Sequence, residues 1–200
     1  MKRMAILVPF GLLMACGQGG PSYLPLVDEK AWSYTSKSAF QDNVVNLKVG
    51  SKVSVGGITG RVLASELGES RVAWDNHRLI ASMLSNTVFI PPIPLLVDDK
   101  VPDKKKGREG DFVPVEEWSG TFESLGKVRR AKATLSERRS TLQLTFGETN
   151  VVETVLRVQI DGMKDDSALE LRTWFERGKG IVRQEQRTNR ELVVSLEFLR

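Results

Sequence analysis

The strongest pattern in the chain is an alternation of period two. Leu142, Leu144 and Phe146 alternate with Gln143 and Thr145, and Val152, Thr154, Leu156, Val158 and Ile160 alternate with Glu153, Arg157 and Gln159. Leu169, Leu171, Thr173 and Phe175 keep the same rule, as do Leu192, Val194, Leu196 and Phe198. Successive side chains of a strand point to opposite faces, so this pattern predicts strands with one buried and one wet face. Turn-forming residues separate the runs at 147–150, 161–162, 178–180 and 188–190, and links this short join antiparallel neighbours. Residues 115–200 therefore read as a meander of six or seven strands, its polar face rich in Arg and Glu.

The first half is less regular. Residues 32–38, 44–49, 52–55, 58–64 and 71–74 are candidate strands, punctuated by Gly56, Gly57, Gly68 and the run Asp75, Asn76, His77. Residues 77–86 fit two elements: Leu79, Ile80, Met83 and Leu84 make a helical stripe that Asn76 could cap, while 78–82 also reads as a strand. The fold class is all-β, a curved antiparallel sheet or incomplete β-barrel. Two stretches look alike, Pro25 to Tyr34 and the set Pro94 to Lys100 followed by Glu117, Trp118, Ser119 and Gly120. They suggest two similar halves, 23–93 and 94–200, within one domain, although proline before a strand also recurs by chance. Pro91, Pro92 and Pro94 are expected to break any regular element at that boundary.

Ahead of the β region stands a different pattern. Lys2 and Arg3 precede an apolar stretch ending at Ala15, too short for the roughly 20 residues that span a bilayer but suited to a secretory signal peptide over residues 1–15. Leu13, Met14, Ala15 and Cys16 resemble the lipobox of bacterial lipoproteins. That resemblance implies cleavage between Ala15 and Cys16 and acylation of Cys16, and several acyl chains would hold a protein stably where one holds it marginally. Residues 16–22, with Gly17, Gly19 and Gly20, then form a short flexible tether. Gly17, where an aspartate would mark inner-membrane retention in some lineages, agrees with outer-membrane sorting.

Composition narrows the function. The chain has 200 residues, 29 Lys and Arg against 25 Asp and Glu, and a single cysteine. With Cys16 committed to lipid, no disulfide supports the body, and the fold must stand on its apolar core. The charge excess of +4 is small and interspersed, which predicts no nucleic-acid partner. The Lys104, Lys105, Lys106 and Arg108 run could touch anionic headgroups, but Asp103, Glu109 and Asp111 beside it favour a solvated loop.

Candidates for chemistry are sparse. His77 is the only histidine and sits in a turn, with no partners for a triad or metal site. Asp161, Asp165 and Asp166 lack calcium-loop spacing, Glu116 and Glu117 would face opposite sides of a strand, and no nucleophile elbow or phosphate loop is present. The expectation is a protein that is not an enzyme and needs no metal or cofactor.

One further resemblance bears on the fold. The segment from Thr173 to Gln186, TWFERGKGIVRQEQ, resembles a hairpin common in uncharacterised bacterial lipoproteins, and the opening near Pro25 that leads to Trp32, Ser33 and Tyr34 is similar to their first strand. The resemblance implies a curved antiparallel sheet related to outer-membrane lipoprotein carrier and receptor proteins, with an incomplete barrel around an apolar cavity. Trp32, Trp74, Trp118 and Trp174 are then the aromatics to consider as cavity lining, against the alternative that they are core with each indole nitrogen bonded at an edge. Alternation sets Trp174 on the face opposite Leu171, Thr173 and Phe175.

Two functional classes follow: a membrane-anchored envelope module that binds a hydrophobic or lipid-like ligand, and a structural or assembly lipoprotein that docks an envelope protein by a sheet edge or an aromatic patch. Both require the anchor. Replacing Cys16→Ser is expected to abolish incorporation of labelled palmitate and to move the protein from the membrane to the soluble fraction; unchanged labelling would remove the lipid attachment site.

Overall fold

A computed structural model describes residues 22–38, 42–98, 111–163, 168–189 and 191–199. The signal segment, Ala15, Cys16, residues 16–21 of the tether, the Lys104 to Arg108 run, Asp165 and Asp166 lie outside them. The described residues form twelve strands: β1 (Ala31–Ser38), β2 (Asp42–Val55), β3 (Ile58–Ser65), β4 (Gly68–Asp75), β5 (Arg78–Leu84), β6 (Thr87–Val97), β7 (Val113–Ser124), β8 (Lys127–Leu144), β9 (Gly147–Ile160), β10 (Leu169–Glu176), β11 (Gly180–Thr188) and β12 (Glu191–Phe198). Each strand is antiparallel to its neighbours, and β1 pairs with β12, Tyr34 opposite Phe198, so the sheet closes on itself. The expected incomplete barrel is thus a closed one, and both halves belong to a single sheet.

The predicted meander forms as six strands, β7 to β12. Residues 44–49 and 52–55 merge into β2, with a register shift between Val49 and Lys52. The ambiguous stretch is strand β5. Its near-continuous apolar run arises because both faces are covered: Leu79 and Ala81 pack in the interior, while Ile80 packs with Val55 and Ala73.

Pro91, Pro92 and Pro94 do not end an element, contrary to expectation; all three lie within β6. Strand β6 pairs with β7 only from Val88 to Ile90, so on that side Pro91, Pro92 and Pro94 face no ladder that asks for their missing N–H, while on the other side β6 stays paired with β5, Pro94 opposite Ile80. Side chains satisfy the parted backbone. The Trp118 indole N–H donates to the Pro91 carbonyl at 3.1 Å, and the Val97 N–H donates to the buried carboxylate of Glu137, from β8, at 2.7 Å. Gly120 makes this approach possible, because a Cβ there would meet the Ile90 carbonyl, the Trp118 ring at 2.7 Å and the Pro91 ring at 2.8 Å.

Inward positions are mostly apolar. Three inward rows cross β9, β10 and β11 in register: Val152, Phe175 and Ile181; Thr154, Thr173 and Gln184; Leu156, Leu171 and Gln186. The outer wall is charged. Glu153 pairs with Arg138 at 2.6 Å and Arg172 at 3.6 Å, Glu170 with Arg157 and Arg172, and Glu185 with Arg183 at 2.7 Å and Arg187 at 3.0 Å. This polarity is the reverse of a membrane-spanning barrel, which turns apolar residues to lipid. No helix of the described residues is long and apolar enough to cross a membrane.

The ends of the barrel differ. Residues 22–30 cap the end that carries the β4–β5 and β10–β11 turns, with Tyr23 and Leu24 buried in the main core. This plug is pinned by the Gly178 N–H donating to the Ser22 carbonyl, the Trp74 indole donating to the Leu24 carbonyl at 2.9 Å, and the Arg177 guanidinium lying over the Tyr23 ring at 4.6 Å.

Two stability predictions follow from the wall. Gly120→Ala is expected to lower unfolding free energy by about 1–3 kcal/mol, the usual effect of forcing extra volume into a packed site, read as a drop in Tm. Burial alone would raise the Glu185 carboxyl, but hydrogen bonds from Arg187 and Arg183 outweigh it and hold the group below its ordinary value of 4.5. A depressed folded-state value stabilises the barrel above that pH and is lost as pH falls through it. Glu185→Gln should therefore lower stability by about 1–2 kcal/mol at pH 7, and that difference should shrink progressively as pH falls below the ordinary carboxylate value; a Tm deficit that stays constant down to the acid limit of folding would refute the assignment.

Candidate functional site

A barrel of twelve strands is wider than the eight whose own side chains fill the interior. Here β7 and β8 turn Trp118, Ala131, Ala133 and Leu135 into the core, and the space left over lies against the other strands. It is a cavity of about 250 Å³. Leu24 of the plug forms part of its floor, Tyr34, Phe89, Leu171 and Phe175 are among its walls, and Leu67 and Ser85, in the β3–β4 and β5–β6 turns, mark its mouth at the end opposite the plug.

Among the described residues the lining carries no carboxylate, lysine, arginine, histidine or cysteine. Burial raises the Tyr34 phenol well above its ordinary range, and as a neutral group it donates to the Ile181 carbonyl at 3.0 Å. Its hydroxyl is therefore committed to the wall. The polar side chains of the cavity also bond within it. Gln184 Nε2 donates to Thr173 Oγ1 at 3.2 Å, and near the mouth the Ser70 hydroxyl accepts from the Ser85 N–H at 3.0 Å. This arrangement can shelter an apolar molecule and orient one polar end.

The four tryptophans are not among the lining residues. Trp32 is buried beside the plugged end and donates its indole N–H to the Lys179 carbonyl; Trp74 bonds the plug, and Trp118 bonds the parted strand β6. Trp174 points outward from β10, while Thr173 and Phe175 on either side point in. It packs with Leu144, Val151 and Val182, and Arg172 and Arg183 lie over its ring at 6.0 and 5.3 Å.

Other candidates are scattered. His77 is exposed in the β4–β5 turn, where its carbonyl accepts from the Asp98 N–H. Glu116 pairs with Arg78, whereas Glu117 accepts from Thr134. Asp161 lies in the turn after β9, and among the described residues no group of three metal-ligating side chains comes together. Sequence reasoning missed Thr173, Gln184 and Gln186 as cavity residues. Their inward phase was visible for β10 but not for β11, because a bulge between Trp174 and Phe175 inserts Val182 and shifts the alternation.

Comparison with solved structures bears on this architecture. A protein assigned as a lipoprotein from Parabacteroides distasonis is 13% identical and superposes with a TM-score of 0.52, covering 90% of this chain and 98% of its own. One assigned as exported, with a YmcC-like fold, from Bacteroides fragilis is 14% identical with a TM-score of 0.50, covering 88% and 96%. This chain shares the YmcC-like fold. At such identity the likeness concerns the fold alone. No protein-family model and no curated protein matches the sequence.

Proposed function

We propose that this chain is a bacterial envelope lipoprotein, anchored through Cys16, whose YmcC-like barrel holds a hydrophobic or lipid-like ligand without transforming it. The observation that carries the reading is the apolar cavity, enclosed by the strand wall, floored by the plug and reaching the surface at one end. Its volume of about 250 Å³ is below the roughly 300–1,000 Å³ of drug-sized ligand sites, which favours one acyl segment or a compact apolar molecule over a whole phospholipid. The lipobox resemblance supports the anchor, and the lipoprotein and exported assignments of the structural neighbours agree with a place outside the cytoplasm. Gly17 favours the outer membrane.

Docking of an envelope protein along a sheet edge is the weaker reading. Closure through β1 and β12 removes two edges, and where β6 parts from β7 its prolines supply no N–H for an added strand.

The test is mass spectrometry of an organic extract from residues 17–200, produced in a bacterial periplasm and purified without detergent. A stoichiometric apolar molecule is expected. Leu171→Trp, which adds volume within the cavity, should remove that molecule while keeping a cooperative thermal transition; an empty extract from the parent protein would overturn ligand carriage.

A further inference from the structure

The mouth end of the barrel carries a second feature, on its outside. Leu67, Leu125, Val128, Met163, Leu192 and Val193 are all exposed, and all lie in turns or strand ends at this end. Val44 and Ile90 face outward slightly further down the same half of the wall. Among the described residues, Val27 and Leu199 are the exposed large apolar side chains at the plugged end. Apolar exposure is therefore concentrated at one pole of a barrel whose wall is otherwise charged.

Leu125 is the most telling of these. It is 99% exposed at the tip of the β7–β8 hairpin and holds a left-handed backbone, φ 51°. At the other tight turns of the barrel the side-chain-bearing residues with positive φ are Asn76, Ser85, Asn86 and Asn189, the polar types that tolerate this region. A leucine there is unfavourable twice, in backbone conformation and in exposure to water. Neither turn formation nor core packing explains it, and a strained residue of this kind points to function.

The surroundings specify what it meets. Lys127, Arg129, Arg130 and Lys132 follow directly on β8 and are all exposed. Among the described residues none of the four pairs with a carboxylate; Arg129 donates instead to the Met163 sulfur at 3.5 Å. Glu123 and Asp161 stand nearby, so cations are in excess around Leu125; elsewhere on the rim Asp42 and Glu191 are exposed, Glu66 bonds Asn46 and Glu69 pairs with Arg71. Apolar tips interleaved with cations are the chemistry of a surface that enters an anionic bilayer interface. The apolar groups are spread round the rim instead of forming one groove, which suits a fluid surface better than a fixed protein face.

We infer that the mouth end of the barrel docks on an anionic lipid surface, one facing away from the membrane that the plug-end leader to Cys16 would enter, with Leu125 inserting and Lys127, Arg129, Arg130 and Lys132 holding the headgroups. The inference does not rest on the cavity containing a ligand. Residues 17–200 keep every strand, the plug and all the contacts described, and they lack the acyl anchor, so their vesicle binding reads the rim alone. Co-sedimentation is expected with vesicles of phosphatidylcholine plus phosphatidylglycerol, weaker with phosphatidylcholine alone, and reduced by added salt. Reversing two charges, Lys127→Glu with Arg130→Glu, should weaken binding on the order of 30-fold. Leu125→Asn should weaken it roughly ten-fold while leaving Tm unchanged or raised, since asparagine suits the left-handed backbone. That pairing of lost binding with retained stability is the signature of an inserted tip. Absence of binding to anionic vesicles, or undiminished binding by Leu125→Asn, would overturn the inference, and either result leaves ligand carriage to be judged by its own extract.

Discussion

Closing a sheet requires every buried backbone N–H and carbonyl in the wall to find a partner, and the junction of β6 and β7 is where this barrel comes nearest to failing. Three residue pairs join the two strands before they part. Beyond them prolines remove donors, the Trp118 indole serves the Pro91 carbonyl, and Glu137 reaches from β8 to take the Val97 N–H. A buried carboxylate inside an apolar barrel would ordinarily be destabilising. Here it substitutes for a missing strand contact, and Glu137 is 0% exposed for that reason. The aromatic pair Phe89 and Trp118 fills the inner side of the same junction.

Once closed, the barrel has a radius its inward side chains do not fill. The protein solves this unevenly: one side is packed solid by β7 and β8, one end is stopped by Tyr23 and Leu24, and the remainder is left as apolar space. The outer wall takes the charges: Glu153 is held by Arg138 and Arg172 from the strands on either side, and Glu185 by Arg183 and Arg187 of its own strand. Arg172 and Arg183 also cover Trp174, so the outward tryptophan is shielded by cation and alkyl stem.

Much of this was legible in the sequence, and the parts that were not share a cause. Alternation located the strands of the second half because each has one buried face and a short turn at its end. It left residues 77–86 open between helix and strand because both faces of β5 are covered, so the period of two disappears. Closure left no local trace, since the pairing of Tyr34 with Phe198 joins positions far apart in the chain. The prolines of β6 were read by their usual effect on a strand paired on both sides, whereas beyond Ile90 β6 is paired with β5 alone. The tryptophans were assigned by size, whereas their placement follows their indole N–H groups: three of the four are fixed by a backbone carbonyl.

The plug joins two roles that most barrels keep apart. Leu24 is part of the cavity floor, and Ser22, two residues before it, is where the described chain leads back towards the tether and Cys16. Tension on that leader meets Ser22 first, held by the Gly178 N–H of the β10–β11 turn, and then Leu24, whose carbonyl is held by the Trp74 indole of β4. With the proposed anchor at Cys16, the stopper and the mooring line are one piece of chain, and the resistance of the floor to withdrawal then bears on how firmly the whole barrel is held.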